Sequence, residues 1–118
     1  MTDMSPPPVL SPMALHLLLA LVDRDRHGLG IAEEVEAFTR GRVALGPGTL
    51  YGTIKRMLAD GWIEESDERP DPELDDERRR YYRLTDLGGR VARAEATRLS
   101  RLVETARSKR LVARARGA

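Results

Sequence analysis

Apolar positions recur at helical spacing in four stretches of this chain, separated by glycine, proline and charged clusters. Ser11-Pro12 supplies an N-cap and a first-turn proline, and Leu15, Leu18, Leu19 and Val22 then form a broad apolar stripe. This predicts a first helix running to Asp25. Ile31, Val35 and Phe38 share one face of a second helix over 31–39, with Gly41 as its stop. Val43 and Leu45 suggest a short extended piece. Gly46-Pro47-Gly48-Thr49 reads as a turn, with Gly48 or Thr49 as cap, into a third helix that ends at Asp60-Gly61. Its apolar face is Leu50, Ile54, Met57 and Leu58. Residues 62–65 and 78–84 have strand character and flank a polar stretch over 66–77, which predicts a hairpin with a long turn. Thr85-Asp86 then caps a last, long helix carrying Leu87, Val91, Ala92, Leu99, Leu102, Val103 and Ala106.

Three short helices, a hairpin and a long helix make a mainly α fold with a small β-hairpin, the layout of a winged helix-turn-helix followed by a C-terminal helix. The expected organisation is an N-terminal arm over 1–10, containing Pro6-Pro7-Pro8, a winged helix-turn-helix domain over 11–86, and a dimerisation helix with a basic tail over 87–118. In the last helix Ala92, Leu99, Ala106 and Ala113 recur every seventh residue, with Leu102 and Val103 between them. A stripe this thin on so polar a helix needs a partner surface. Ala92, Leu99, Leu102, Val103 and Ala106 are therefore the candidate dimer contacts, reaching a second copy of the helix and the Leu15 region of helix 1.

Composition narrows the chemistry. With 118 residues the chain is one domain's worth of sequence. There is no cysteine, which removes disulfides, thiolate metal sites and cysteine nucleophiles. His16 and His27 are the only histidines, too few for a histidine-rich metal site. No metal site and no cofactor is expected. Serine, aspartate and histidine form no recognisable catalytic set, so the chain does not read as an enzyme. The glycines of 28–30 and 46–52 lack the rest of a dinucleotide or P-loop fingerprint. The N-terminus has no basic start of a signal peptide, and the apolar run over 13–22 is too short for a bilayer, so a cytoplasmic protein without membrane contact is expected. The net charge of +1 averages two unlike parts. Residues 1–88 hold 11 basic and 17 acidic residues, whereas residues 89–118 hold 9 basic and 2 acidic.

Four motifs carry a resemblance. The segment 27–32, HGLGIA, resembles the HGYGI run of PadR-type transcriptional regulators, and 46–52, GPGTLYG, resembles their SPGTLYG/A motif at the start of the recognition helix. Leu58, Gly61, Trp62 and Ile63 are similar to their helix-to-wing junction, and 79–88, RRYYRLTDLG, to their RKYYRLTxxG wing strand and helix start. Leu29 stands where tyrosine is common and Gly46 where serine is common, which removes one hydroxyl that a phosphate could use. The resemblance implies a DNA-binding regulator of the short-tailed subclass, a homodimer and a repressor. It also implies that the third helix enters the major groove of an inverted-repeat operator. Some members hold flat drugs between tryptophans of the last helix; here that helix has no aromatic residue.

The residues themselves fit that use. Pro47, Gly48, Thr49, Tyr51, Gly52, Lys55 and Arg56 lie at the start and on the polar face of the third helix, where free N–H groups and the helix dipole suit a phosphate. Arg78, Arg79 and Arg80 of the wing are candidate phosphate or minor-groove contacts. Without Asn or Gln, the usual readers of adenine, base readout falls to Arg, Lys, Thr and Tyr, or to DNA shape. Two other classes remain open: a sensor whose small-molecule effector binds at the dimer interface, and a winged-helix module that binds protein, for which the acidic body is the one hint. Trp62, Tyr81, Tyr82 and Leu84 read as packing residues, His16 as structural and His27 as a turn or helix-end residue.

Overall fold

A computed structural model describes residues 9–67 and 80–113. The elements are α1 (Pro12–Ala20), β1 (Arg26–His27), α2 (Gly28–Phe38), α3 (Pro47–Ala59), β2 (Ile63–Ser66), β3 (Tyr81–Leu84) and α4 (Asp86–Ser108). The fold is mostly helical, with a small antiparallel sheet and a long C-terminal helix, as the sequence pattern predicts. Residues 1–8 of the expected arm, the turn of the hairpin, and Arg78 and Arg79 lie outside the described residues.

Local chemistry explains the boundaries. Ser11 caps α1 by accepting from the Ala14 amide, His27 caps α2 by accepting from Gly30, and Thr85 caps α4 by accepting from Gly88. Gly41 and Gly61 follow α2 and α3 at φ of 78° and 75°, the left-handed conformation that stops a helix. Three boundaries differ from expectation. Helix α1 stops at Ala20 rather than Asp25, because the Arg26 guanidinium donates to the Ala20 carbonyl at 2.8 Å and turns the chain back. Glu34 holds the same guanidinium at 3.1 Å. As a result Leu19 and Val22 are exposed, and the buried face of α1 is Ala14, Leu17, Leu18 and Ala20. Helix α2 begins at Gly28, not Ile31, and Phe38 lies exposed at its end, stacked on His16 at 5.9 Å. Strand β2 begins at Ile63, one residue after Trp62.

The sheet has three strands in the order β1-β3-β2. The expected hairpin is β2 and β3, with Glu64 opposite Arg83 and Glu65 opposite Tyr82. The third strand is Arg26–His27, paired with Tyr82 and Tyr81. Val43 and Leu45, expected to be extended, form no strand and pack against the core instead. A two-residue strand carries no periodicity, so only its pairing reveals it.

Leu17, Leu18, Ile31, Val35, Met57 and Ile63 form the fully buried centre, enclosed by α1, α2, α3 and the sheet. The first turns of α4 close it with Val91 and Ala92. Leu10, expected in the loose arm, is buried with them, and its amide donates to Glu95 of α4 at 2.9 Å. Beyond Glu95, α4 has no buried residue.

Candidate nucleic-acid interface

Helix α3 is divided cleanly. Leu50, Ile54 and Met57 are buried in the core, and this fixes the direction of the other face. Pro47, Gly48, Thr49, Tyr51, Gly52, Lys55 and Arg56 are all exposed. Thr53, half-buried between them, donates its hydroxyl to the Thr49 carbonyl at 2.7 Å. The sequence-derived residues of this helix therefore form one solvent-facing surface.

Its N-terminus differs from that of the other helices. Gly46, not Gly48 or Thr49, is the N-cap, and it has no side chain with which to cap. The first helical hydrogen bond runs from Leu50 to the Gly46 carbonyl, so the Gly48 and Thr49 amides face solvent without an intrahelical acceptor. Among the described residues, a Cβ at Gly46, Gly48 or Gly52 would meet nothing within 4 Å beyond the adjoining backbone. Intrachain packing thus does not require these glycines, whereas close approach of an external body would.

Tyr51 is 53% exposed, yet its ring lies against Gly28 at the start of α2. A Cβ at position 28 would come within 2.9 Å of the Tyr51 ring and hydroxyl. Glycine at 28 therefore sets the seat of a side chain on α3, a link between two motifs that spacing alone did not reveal. Behind it, burial, with Glu65 nearby, pushes the Tyr82 phenol above its ordinary 10.0. Tyr81 and Tyr82 are buried, and Trp62 and Leu84 pack on the core, as expected. The Tyr81 ring meets His27 edge-on at 5.2 Å.

Charge is distributed to match. Between Glu36 and Asp60 there is no acidic residue, although the body around this stretch is acidic. Among the described residues Lys55 and Arg56 form no ion pair. On the sheet, by contrast, Arg80 meets Glu65 at 3.0 Å and Arg83 meets Glu64 at 2.9 Å. Both pairs are exposed, and such pairs are worth about 0–1 kcal/mol, which leaves Arg80 available to a stronger anion.

The junction between α3 and α4 orients the sheet. Thr85 donates its amide to the Trp62 carbonyl at 3.1 Å and its hydroxyl to the Gly61 carbonyl at 2.6 Å, and accepts from Gly88. A Cβ at Gly88 would fall 1.8 Å from the Trp62 carbonyl oxygen. The sequence places Thr85 as a cap, but this crossing is visible only in three dimensions.

The candidate dimer residues divide between two environments. Ala92 is 5% exposed and belongs to the core of its own chain. Leu99 and Ala106 are half-buried, and Leu102 and Val103 are 53% and 40% exposed. An open groove of about 810 Å³ runs along this part of α4, where Val9, Ala94, Leu102 and the arginines 90, 93, 98 and 101 line it. Among the described residues no group of acidic or histidine side chains could hold a metal ion, and no helix is long and apolar enough to cross a membrane.

A model of the transcriptional regulator PadR-like family matches residues 17–94. The chain is 38% identical over 74 residues to the transcriptional regulator Rv3488 of Mycobacterium tuberculosis, and the match spans 63% of this chain and 63% of that protein. Among solved structures, a PadR family transcription regulator from Clostridium difficile superposes with a TM-score of 0.67 at 22% identity, covering 83% of this chain and 97% of that one. A transcriptional regulator from Clostridium thermocellum gives 0.66 at 21% identity, covering 86% and 97%.

Proposed function

Because the chain belongs to the PadR-like family of DNA-binding transcriptional regulators, we propose that it acts in the cytoplasm as a homodimeric repressor on an inverted-repeat operator. The observation that carries this reading is the exposed face of α3, which is cationic, glycine-lined and free of carboxylates above a fully buried opposite face. A face of this kind fits the major groove. Gly48 and Gly52 let the helix approach closely, and the free amides at its start donate to a backbone phosphate. Lys55 and Arg56 are the groups able to pair with guanine, and Thr49 and Tyr51 touch thymine methyls or phosphate. Arg78, Arg79 and Arg80 hold the flanking backbone or the minor groove. Adenine is read through shape, since no amide side chain exists.

The second protomer packs on α4 through Leu99, Leu102, Val103 and Ala106, the part of the stripe that the chain's own core leaves uncovered. Two α3 helices are then related by a two-fold axis, which requires a two-fold operator. The groove along α4 favours a second, compatible reading: a small effector there would change the spacing of the two heads.

Selection of bound sequences from random DNA with the purified protein tests both parts. An enriched inverted repeat supports the dimer and the readout together. A single unsymmetrical half-site removes the dimer, and no enrichment removes sequence-specific DNA binding.

A further inference from the structure

The α2–α3 turn, outside both the reading helix and the wing, carries two exposed cations that form no ion pair among the described residues. Like Arg24, Lys55, Arg56, Arg90, Arg93, Arg101, Lys109 and Arg110, Arg40 and Arg42 are exposed and, among the described residues, form no ion pair. They belong to the same acid-free stretch as Lys55 and Arg56, within a body whose net charge is negative. The turn beneath them is braced. Thr39 donates its hydroxyl to the Val35 carbonyl at 2.7 Å and accepts from the Val43 amide at 3.1 Å. Gly41 donates to the Glu36 carbonyl at 2.8 Å and Arg42 to the Thr39 carbonyl at 3.1 Å. Val43 and Leu45 anchor the outgoing chain on the core.

One feature of the turn works against stability. Arg40 has φ of 54°, in the region where a Cβ is unfavourable and glycine is at ease. Packing offers no return for an arginine there, because the side chain is exposed and unpaired. Arg110 takes the same conformation at φ of 64°, and each of the two follows a helix C-cap, Thr39 of α2 and Lys109 of α4. Arg42 precedes the N-cap of α3 by only four residues, so its Cα lies within about 14 Å of the end of the helix that enters the groove.

We propose that Arg40 and Arg42 form a second contact with the duplex, taking up backbone phosphates beside the site read by α3. This deepens the DNA-binding reading and rests on it. The contact is sequence-independent: it strengthens operator and random duplex equally and fixes the angle at which α3 enters.

The test titrates the full chain onto the selected operator duplex and onto a random duplex over a series of salt concentrations. The variants are Arg40→Gly, Arg42→Ala, the double variant, and Arg42→Lys, with Lys55→Ala as reference. Each charge removed should lower affinity several-fold on both duplexes and reduce the salt slope by about 0.9, so the double variant loses about 1.8. Arg42→Lys should keep the slope. Arg40→Gly should melt at a higher temperature than the parent, so its weaker binding cannot reflect misfolding. If the turn variants bind like the parent while Lys55→Ala weakens binding, the turn contact is overturned and the DNA reading stands. If the parent shows no salt-dependent binding to either duplex, both fall.

Discussion

Gly88 and Gly52 are both glycines for reasons of space, but the space lies on opposite sides of the protein surface. At Gly88 the neighbour is the chain itself, with the Trp62 carbonyl where a Cβ would stand. The overlap is with backbone, which cannot rotate away. Gly88→Ala should therefore destabilise by at least about 2 kcal/mol, seen as a lower urea midpoint. At Gly52 the chain offers no neighbour, and glycine in the middle of a helix weakens it. Gly52→Ala should stabilise by about 0.8–1 kcal/mol and at the same time lower DNA affinity about tenfold, a loss of about 1.4 kcal/mol of binding. Opposite signs in melting and DNA titration separate a binding glycine from a folding one. A variant that gained stability and kept full affinity would show that α3 does not need to come so close.

Among the elements, α4 is the one fastened in two different ways along its length. Its first turns are held by Thr85, Gly88 and the core contacts of Val91 and Ala92. One turn further, Glu95 is 3% exposed and accepts both from the Leu10 amide and from the Arg98 guanidinium. This single carboxylate ties the segment before α1 to the root of the long helix. Chiefly through the Arg98 hydrogen bonds, opposed by burial and aided by the Leu10 amide, its carboxyl is held below the ordinary 4.5. The stabilisation is complete above pH 4.5 and is lost as the pH falls through the lowered folded value. Unfolding midpoints measured over a pH series should fall more steeply in acid for the parent than for Glu95→Gln. Equal acid limbs would mean that the carboxylate is not held in this way. The short strand β1 shows a related effect of one side chain on an element. Arg26 ends α1 and starts the strand, and its three partners are Ala20 at the end of α1, Asp23 in the turn and Glu34 on α2.

For the whole molecule, the proposed working unit is two chains. Past Glu95, α4 leaves Leu102 and Val103 exposed at positions where its own domain gives no cover. Leu102→Glu with Val103→Glu places like charges on a two-fold seam and should convert the dimer to a monomer in sedimentation velocity, with the helical content kept. The monomer should bind an inverted repeat at least about a hundredfold more weakly, because joining two heads gives avidity of this order. A variant that sedimented as the parent does would put the interface elsewhere. The near-zero net charge of the chain matters less than its arrangement. The acid-free stretch over 37–59 presents cations on α3 and the turn before it, while carboxylates occupy the sheet and α2.

Elements whose signals are local can be read directly from the order of residues. Caps such as Ser11 and Thr85, the stops at Gly41 and Gly61, and the apolar periodicity of α3 each depend on residues a few positions apart. The exposed residues of α3 were legible for the same reason, since burying Leu50, Ile54 and Met57 leaves the others no choice of side. Features that depend on distant residues emerge only once the chain is folded. The early end of α1, the pairing of Arg26–His27 with β3, the seat of Tyr51 on Gly28, and the Leu10–Glu95 tie all join residues remote in sequence. The seven-residue stripe of α4 shows the limit most clearly. Its spacing treats Ala92 and Leu102 alike, but the core of the chain covers Ala92 and leaves Leu102 to solvent, because only packing decides where one domain's cover ends.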